Sequence, residues 1–123
     1  MSRLFRQKDR LSLCMIVKNE ERRLARCLAS VMPWVGEAIV VDTGSTDRTM
    51  EIARDFGAHV EHRPWRDHFS WARNESLALA TRPWALLVDA DDVLAVTDPD
   101  GFEAALAQDE IPAFWVEYHD ALD

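Results

Sequence analysis

AIVVDTGSTDRTMEIA, residues 38–53, decides the fold. Four apolar residues run unbroken and close on Asp42; the turn Thr43-Gly44-Ser45 follows, and Met50, Ile52, Ala53 and Phe56 then recur at helical spacing until Gly57. This is a buried strand, a polar turn and an amphipathic helix. Ser45 is predicted to cap that helix, with Asp47 at the positive end of its dipole. Asp42 breaks the pattern, because the strand would otherwise end apolar. It is therefore a candidate binding residue, placed to accept hydrogen bonds from a ligand lying across the sheet edge.

The same unit recurs on either side. Residues 11–17 (LSLCMIV) form an apolar run that stops at Lys18-Asn19-Glu20, and Leu24, Cys27, Leu28 and Val31 then mark one face of a helix ended by Pro33 and Gly36. A weaker strand over 58–61 leads into a polar and aromatic stretch, 62–69. Ser70 is predicted to cap a helix bearing Trp71, Leu77, Leu79 and Ala80 and ending before Pro83. Residues 84–88 (WALLV) read as a strongly buried strand running into Asp89-Ala90-Asp91-Asp92. Asp98-Pro99 then caps a helix over 101–108, and 113–118 read as a last strand. Strands that are apolar throughout and alternate with helices predict an α/β fold: a mostly parallel central sheet with helices on both faces. Ligands of such sheets bind at the carboxyl ends of the strands, where this sequence places its polar clusters.

The chain has 123 residues, a size for one domain; residues 1–10 read as a polar extension and 11–123 as the domain. A net charge of −8 disfavours a nucleic-acid partner. No apolar run reaches membrane-helix or signal-peptide length, so the expected location is cytoplasmic with no transmembrane segment. Cys14 and Cys27 lie in apolar segments without metal-ligand spacing and read as packed thiols.

No G-x-G-x-x-G or G-x-x-x-x-G-K-[ST] is present, so a phosphate must be held without a glycine cradle. Asp89, Asp91 and Asp92 offer hard oxygen ligands at the end of a rigid strand. Mg²⁺ or Mn²⁺ suits such a set and would offset the acidic charge beside a phosphorylated ligand. Asn19 and Glu20 read either as ligand contacts or as the start of the following helix. Arg73, with Asn74 beside it, is a candidate diphosphate or base contact, or a surface ion pair. Trp65, Phe69 and Trp71 can stack on a sugar or base but more often pack a loop onto a sheet. His62 and His68 lack zinc-site partners, and no hydrolase nucleophile motif occurs.

Taken together, LSLCMIVKNEE, AIVVDTGSTDRTMEIA, WRDHFSWARNESLALA and WALLVDADDVL resemble the nucleotide-sugar-binding half of glycosyltransferase family 2, inverting enzymes of the GT-A fold, in the bacterial branch often joined to tetratricopeptide repeats. The resemblance implies a nucleoside-diphosphate-sugar donor, with UDP the commonest nucleotide, and an acceptor it does not identify. It implies that Asp42 meets the base or ribose, that Asn19 and Glu20 line the same pocket, and that Arg73 reaches the nucleotide. Asp91 would contact the metal directly, and Asp89 the ribose or the metal through water; Asp92 stands where the family commonly has an acidic residue. The family's general base comes from the half after D-x-D, and the sequence ends about 30 residues beyond Asp91, so a truncated domain is expected. Glu117, His119 and Asp120 are the titratable residues near that end, best read as polar residues of an edge strand, through which the chain could self-associate. A donor-binding module without catalysis is the alternative reading. A nucleotidyltransferase is disfavoured by the absence of a basic, glycine-rich loop.

Overall fold

The computed structural model describes residues 7–65 and 69–109. Four parallel strands, β1 (Leu11–Val17), β2 (Glu37–Asp42), β3 (His59–His62) and β4 (Trp84–Leu87), form one sheet in the order β3-β2-β1-β4. Helices α1 (Leu24–Val31), α2 (Thr49–Asp55), α3 (Phe69–Leu79) and α4 (Pro99–Leu106) alternate with them in chain order. The α/β expectation holds through α4. The strand expected over 113–118, with Glu117, His119 and Asp120, lies outside the described residues, as does His68.

β1 and β2 are central, and side chains alternate between two covered faces. On one face Leu11, Leu13, Met15 and Val17 meet Leu24, Leu28 and Val31 of α1, Ala53 of α2 and Leu106 of α4. On the other, Cys14, Ile39 and Val41 pack against Leu79 and Ala80 at the end of α3. Cover on both sides is why these strands read as continuous apolar runs. Each buried leucine contributes about 2 kcal/mol of transfer free energy.

β4 departs from its predicted total burial. It is an edge strand of this sheet: Trp84 and Leu86 turn toward the α1 and α4 face, whereas Ala85 is exposed and Leu87 is 43% exposed. The physical reason is that α3, which covers that face, packs chiefly against β1 and β2, so among the described residues the β4 end of the face is left open.

Local chemistry sets the element ends. At φ +85°, which glycine adopts without strain, Gly57 lets the chain turn back so that the Ala58 amide donates to Ala53 O at 3.1 Å. Asp98 caps α4 as expected, its Oδ1 accepting from the Gly101 amide at 3.0 Å; the helix begins at Pro99, two residues before the predicted start. Lys8–Arg10 form a 3-10 turn, and Arg10 Nε donates to Leu106 O at 2.7 Å, tying the end of α4 to the start of β1.

Candidate functional site

The carboxyl ends of β1, β2 and β3 lie level, with Val17 paired to Asp42 and Asp42 to His62. Asp42 is completely buried. Its Oδ1 accepts from the amides of Gly44 (2.9 Å) and Ser45 (2.8 Å), shaping the turn that follows. Its Oδ2 is buried without a hydrogen-bond partner among the described residues. A buried acceptor left unmade is costly, and where it sits at a ligand-binding edge it marks a place for a donor. Nδ1 of the half-exposed His62 lies 3.8 Å from Oδ1.

Ser45 does not cap α2, which starts at Thr49. Its hydroxyl instead accepts from the Asn19 amide at 2.8 Å, because the loop after β1 folds onto the loop after β2. Asn19 makes this possible by adopting φ +53°, a left-handed conformation that asparagine tolerates better than most residues, while its Oδ1 accepts from the Thr46 amide at 2.8 Å. Both residues precede α1: Asn19 is held by the loop after β2, whereas Glu20 keeps part of its helix-start role, its O accepting from the Arg23 (3.0 Å) and Leu24 (2.9 Å) amides in the turn that enters α1 while its own amide donates to Thr49 Oγ1 at 2.8 Å. Thr49 donates in turn to Asp47, whose Oδ1 also accepts the Thr49 amide at 2.9 Å. Arg48 occupies the N-cap position of α2, and Asp47 just before it accepts the first helical amide; the hydrogen bond from the Thr49 hydroxyl, followed by the amide bonds, holds the Asp47 carboxyl below the usual range. Asn19, Glu20 and Asp47 line one polar cleft.

On the other side of β1, the extension of β4 ends in a tight turn. The Asp92 amide donates to Asp89 O at 3.0 Å, and Asp92 Oδ2 accepts from the Asp89 amide at 3.1 Å. Ala90 is buried in the core, whereas Asp89 and Asp91 are exposed. Asp89, Asp91 and Asp92 can each bring a carboxylate oxygen within 4.8 Å of the others. Exposed, clustered hard oxygens fit a small divalent cation that retains water and phosphate ligands. Asp92 spends one oxygen on the turn itself, which sets its role apart from that of Asp89 and Asp91.

Arg73 and Asp89 line one depression between α3 and the end of β4. The structure thus gathers Asn19 and Glu20 with the Asp42 turn, and Arg73 with the acidic turn, on the two sides of the β1 end. Asn74 is exposed on α3; Trp65 is exposed and Trp71 half-buried. Cys14 and Cys27 are packed as expected, and both are pushed up, Cys14 to about 11 and Cys27 to about 12, by burial first and then by the charges of Glu37 and of Asp92, Asp91 and Asp89 respectively. Sequence reading missed that the Cys27 thiol donates to Asp89 O and that Ser30 holds Leu94. The one available signal was their position on or beside the apolar stripe of α1. Among the described residues no helix is long and apolar enough to cross a membrane.

Residues 12–109 match the pattern of Glycosyl transferase family 2. A TPR repeat-containing protein of Synechococcus elongatus is 49% identical over 106 residues, which are 86% of this chain and 26% of that protein. The SPbeta prophage-derived glycosyltransferase SunS of Bacillus subtilis is 40% identical over 80 residues, 63% of this chain and 19% of SunS. Among solved structures, glucosyl-3-phosphoglycerate synthase from Mycobacterium tuberculosis, in complex with Mn²⁺, UDP and glucosyl-3-phosphoglycerate, superimposes with a TM-score of 0.60 at 29% identity, over 71% of this chain and 36% of that one. The chain therefore spans about a quarter of the TPR relative's length and about a third of the synthase's.

Proposed function

The chain belongs to glycosyltransferase family 2, and from that premise we propose that it forms the donor-binding part of an inverting transferase. The donor is a nucleoside-diphosphate sugar, UDP being the first nucleotide to test. One arrangement carries the reading: the same sheet edge holds a buried carboxylate oxygen without a partner among the described residues, Asp42 Oδ2, and the cluster of exposed Asp89 and Asp91 with half-buried Asp92. The first suits an N–H or O–H donor of a base or ribose, and the second suits the charged end of the same ligand.

In this reading Asp42 Oδ2 accepts from the base or ribose, and its fixed Oδ1 prevents the carboxylate from turning away. Asn19 and Glu20 wall the nucleotide pocket, and Arg73 adds positive charge on the side of the acidic turn. Asp91, with Asp89, would hold Mn²⁺ or Mg²⁺, which supplies positive charge beside the leaving diphosphate. Asp92 keeps the turn closed so that both carboxylates face outward. A positioned general base must take the acceptor's proton; we place it in the part of longer relatives that follows the acidic turn. The short span relative to those proteins favours a second reading of the isolated chain, in which it binds donor without transferring sugar.

Calorimetric titration of the chain with UDP, in Mn²⁺, in Mg²⁺ and in chelator, tests the donor site. The expected result is saturable binding that chelator weakens at least tenfold. No binding of UDP, GDP or TDP by a chain shown to be folded by circular dichroism overturns it.

A further inference from the structure

We propose that Ser30 and Cys27 of α1 are positioning residues for the acidic turn, a two-point clamp that sets the spacing at which Asp89 and Asp91 meet a divalent cation. The inference rests on the cation reading above and assigns a role to a helix that contributes no carboxylate to the site. Among the described residues, 89–94 leave β4 without helical or strand hydrogen bonds to hold them, yet both ends of the segment are gripped. At the first residue, Asp89 O accepts from Cys27 Sγ at 3.5 Å as well as from the Asp92 amide at 3.0 Å, so both of its lone pairs are engaged. At the last, the Leu94 amide donates to Ser30 Oγ at 2.9 Å.

The Ser30 hydroxyl is oriented for that task, because its own proton goes to Cys27 O at 2.6 Å, one turn back on the same helix. The lone pairs then face the loop. Between the two grips Ala90 is seated in the core and Leu94 packs against it, so the backbone is fixed on its inner side while Asp91 projects outward. α1 is itself anchored by Leu24, Leu28 and Val31, all fully buried. A cation that takes one or two carboxylates is sensitive to their separation, and loss of a group that orients ligands commonly lowers metal affinity by about 10- to 100-fold.

The test is Mn²⁺ uptake by the chain in the presence of saturating UDP, read from loss of the free-ion electron paramagnetic resonance signal against UDP alone, for the wild type and for Ser30→Ala, Ser30→Thr, Cys27→Ala and Cys27→Ser. Alanine favours helix more than serine does, so Ser30→Ala does not endanger α1. Threonine can bond the carbonyl one turn back as serine does, so it keeps the acceptor in place. The clamp predicts Mn²⁺ affinity lower by about tenfold in Ser30→Ala and by a smaller factor in Cys27→Ala, with near-complete recovery in Ser30→Thr and Cys27→Ser. Hydrogen exchange of the Leu94 amide should quicken in Ser30→Ala and not in Ser30→Thr. Wild-type affinity in both alanine variants would overturn the clamp and leave the cation site standing, as would a loss that threonine does not restore. No uptake by the wild type would overturn the cation reading together with the clamp.

Discussion

Two acidic regions at one end of the sheet are built in opposite ways. At the end of β2, Asp42 is fully buried; one of its oxygens organises the following turn and the other is left without a partner among the described residues. Beyond β4, Asp89 and Asp91 are exposed, and the turn that carries them is held by Asp92, by Ala90 and by α1. In the first region the carboxylate supports the backbone. In the second the backbone supports the carboxylates. Burial makes a group selective for a hydrogen-bond donor of one geometry, whereas exposure keeps a carboxylate charged and hydrated until a cation arrives.

The largest expected effect separates the two by stability. Asp42→Ala strips the Gly44 and Ser45 amides of their acceptor and should lower unfolding free energy by about 2 kcal/mol in urea denaturation, whereas Asp91→Ala should change it by less than about 0.5 kcal/mol. Equal losses in both variants would break the comparison. A smaller effect comes from a carboxylate at the opposite end of the sheet. Glu37 has both oxygens engaged, by Ser12 and by the amide and hydroxyl of Thr81. Burial acts to raise its carboxyl, but these hydrogen bonds and the Arg82 charge outweigh it and hold it below 4.5. The stability it contributes is therefore present above about pH 4.5 and is lost as pH falls through the lower folded value. Glu37→Gln should flatten that acid limb, as followed by thermal unfolding from pH 6 down to about pH 3.

How much of this the sequence carried depends on the range of the interaction. β1 and β2 were legible because cover on both faces leaves an unbroken apolar run. Asp42 was legible because a carboxylate ending such a run contradicts it. β4 was read as buried, since Ala85 and Leu87 look like core residues whether or not anything lies against them. Ser45 follows the rule for a helix cap, yet the left-handed turn at Asn19 brings a competing donor from 26 residues away. The Cys27 and Ser30 contacts cross 62 and 64 residues, and periodicity reports which face a residue occupies without saying what that face will meet.

The central claim is that the two regions bind opposite ends of one ligand. Titrating uridine and UDP, each with and without Mn²⁺, into the wild type, Asp42→Asn and Asp91→Asn tests it most directly. Asn keeps an oxygen for the Gly44 and Ser45 amides and turns the unpartnered acceptor into a donor. Asp42→Asn should therefore weaken uridine and UDP alike, by about 10- to 100-fold, while Asp91→Asn leaves uridine unchanged and removes the gain that Mn²⁺ gives to UDP. If Mn²⁺ adds nothing to UDP binding by the wild type, or if Asp91→Asn weakens uridine as much as Asp42→Asn does, the division of labour between the two regions is wrong.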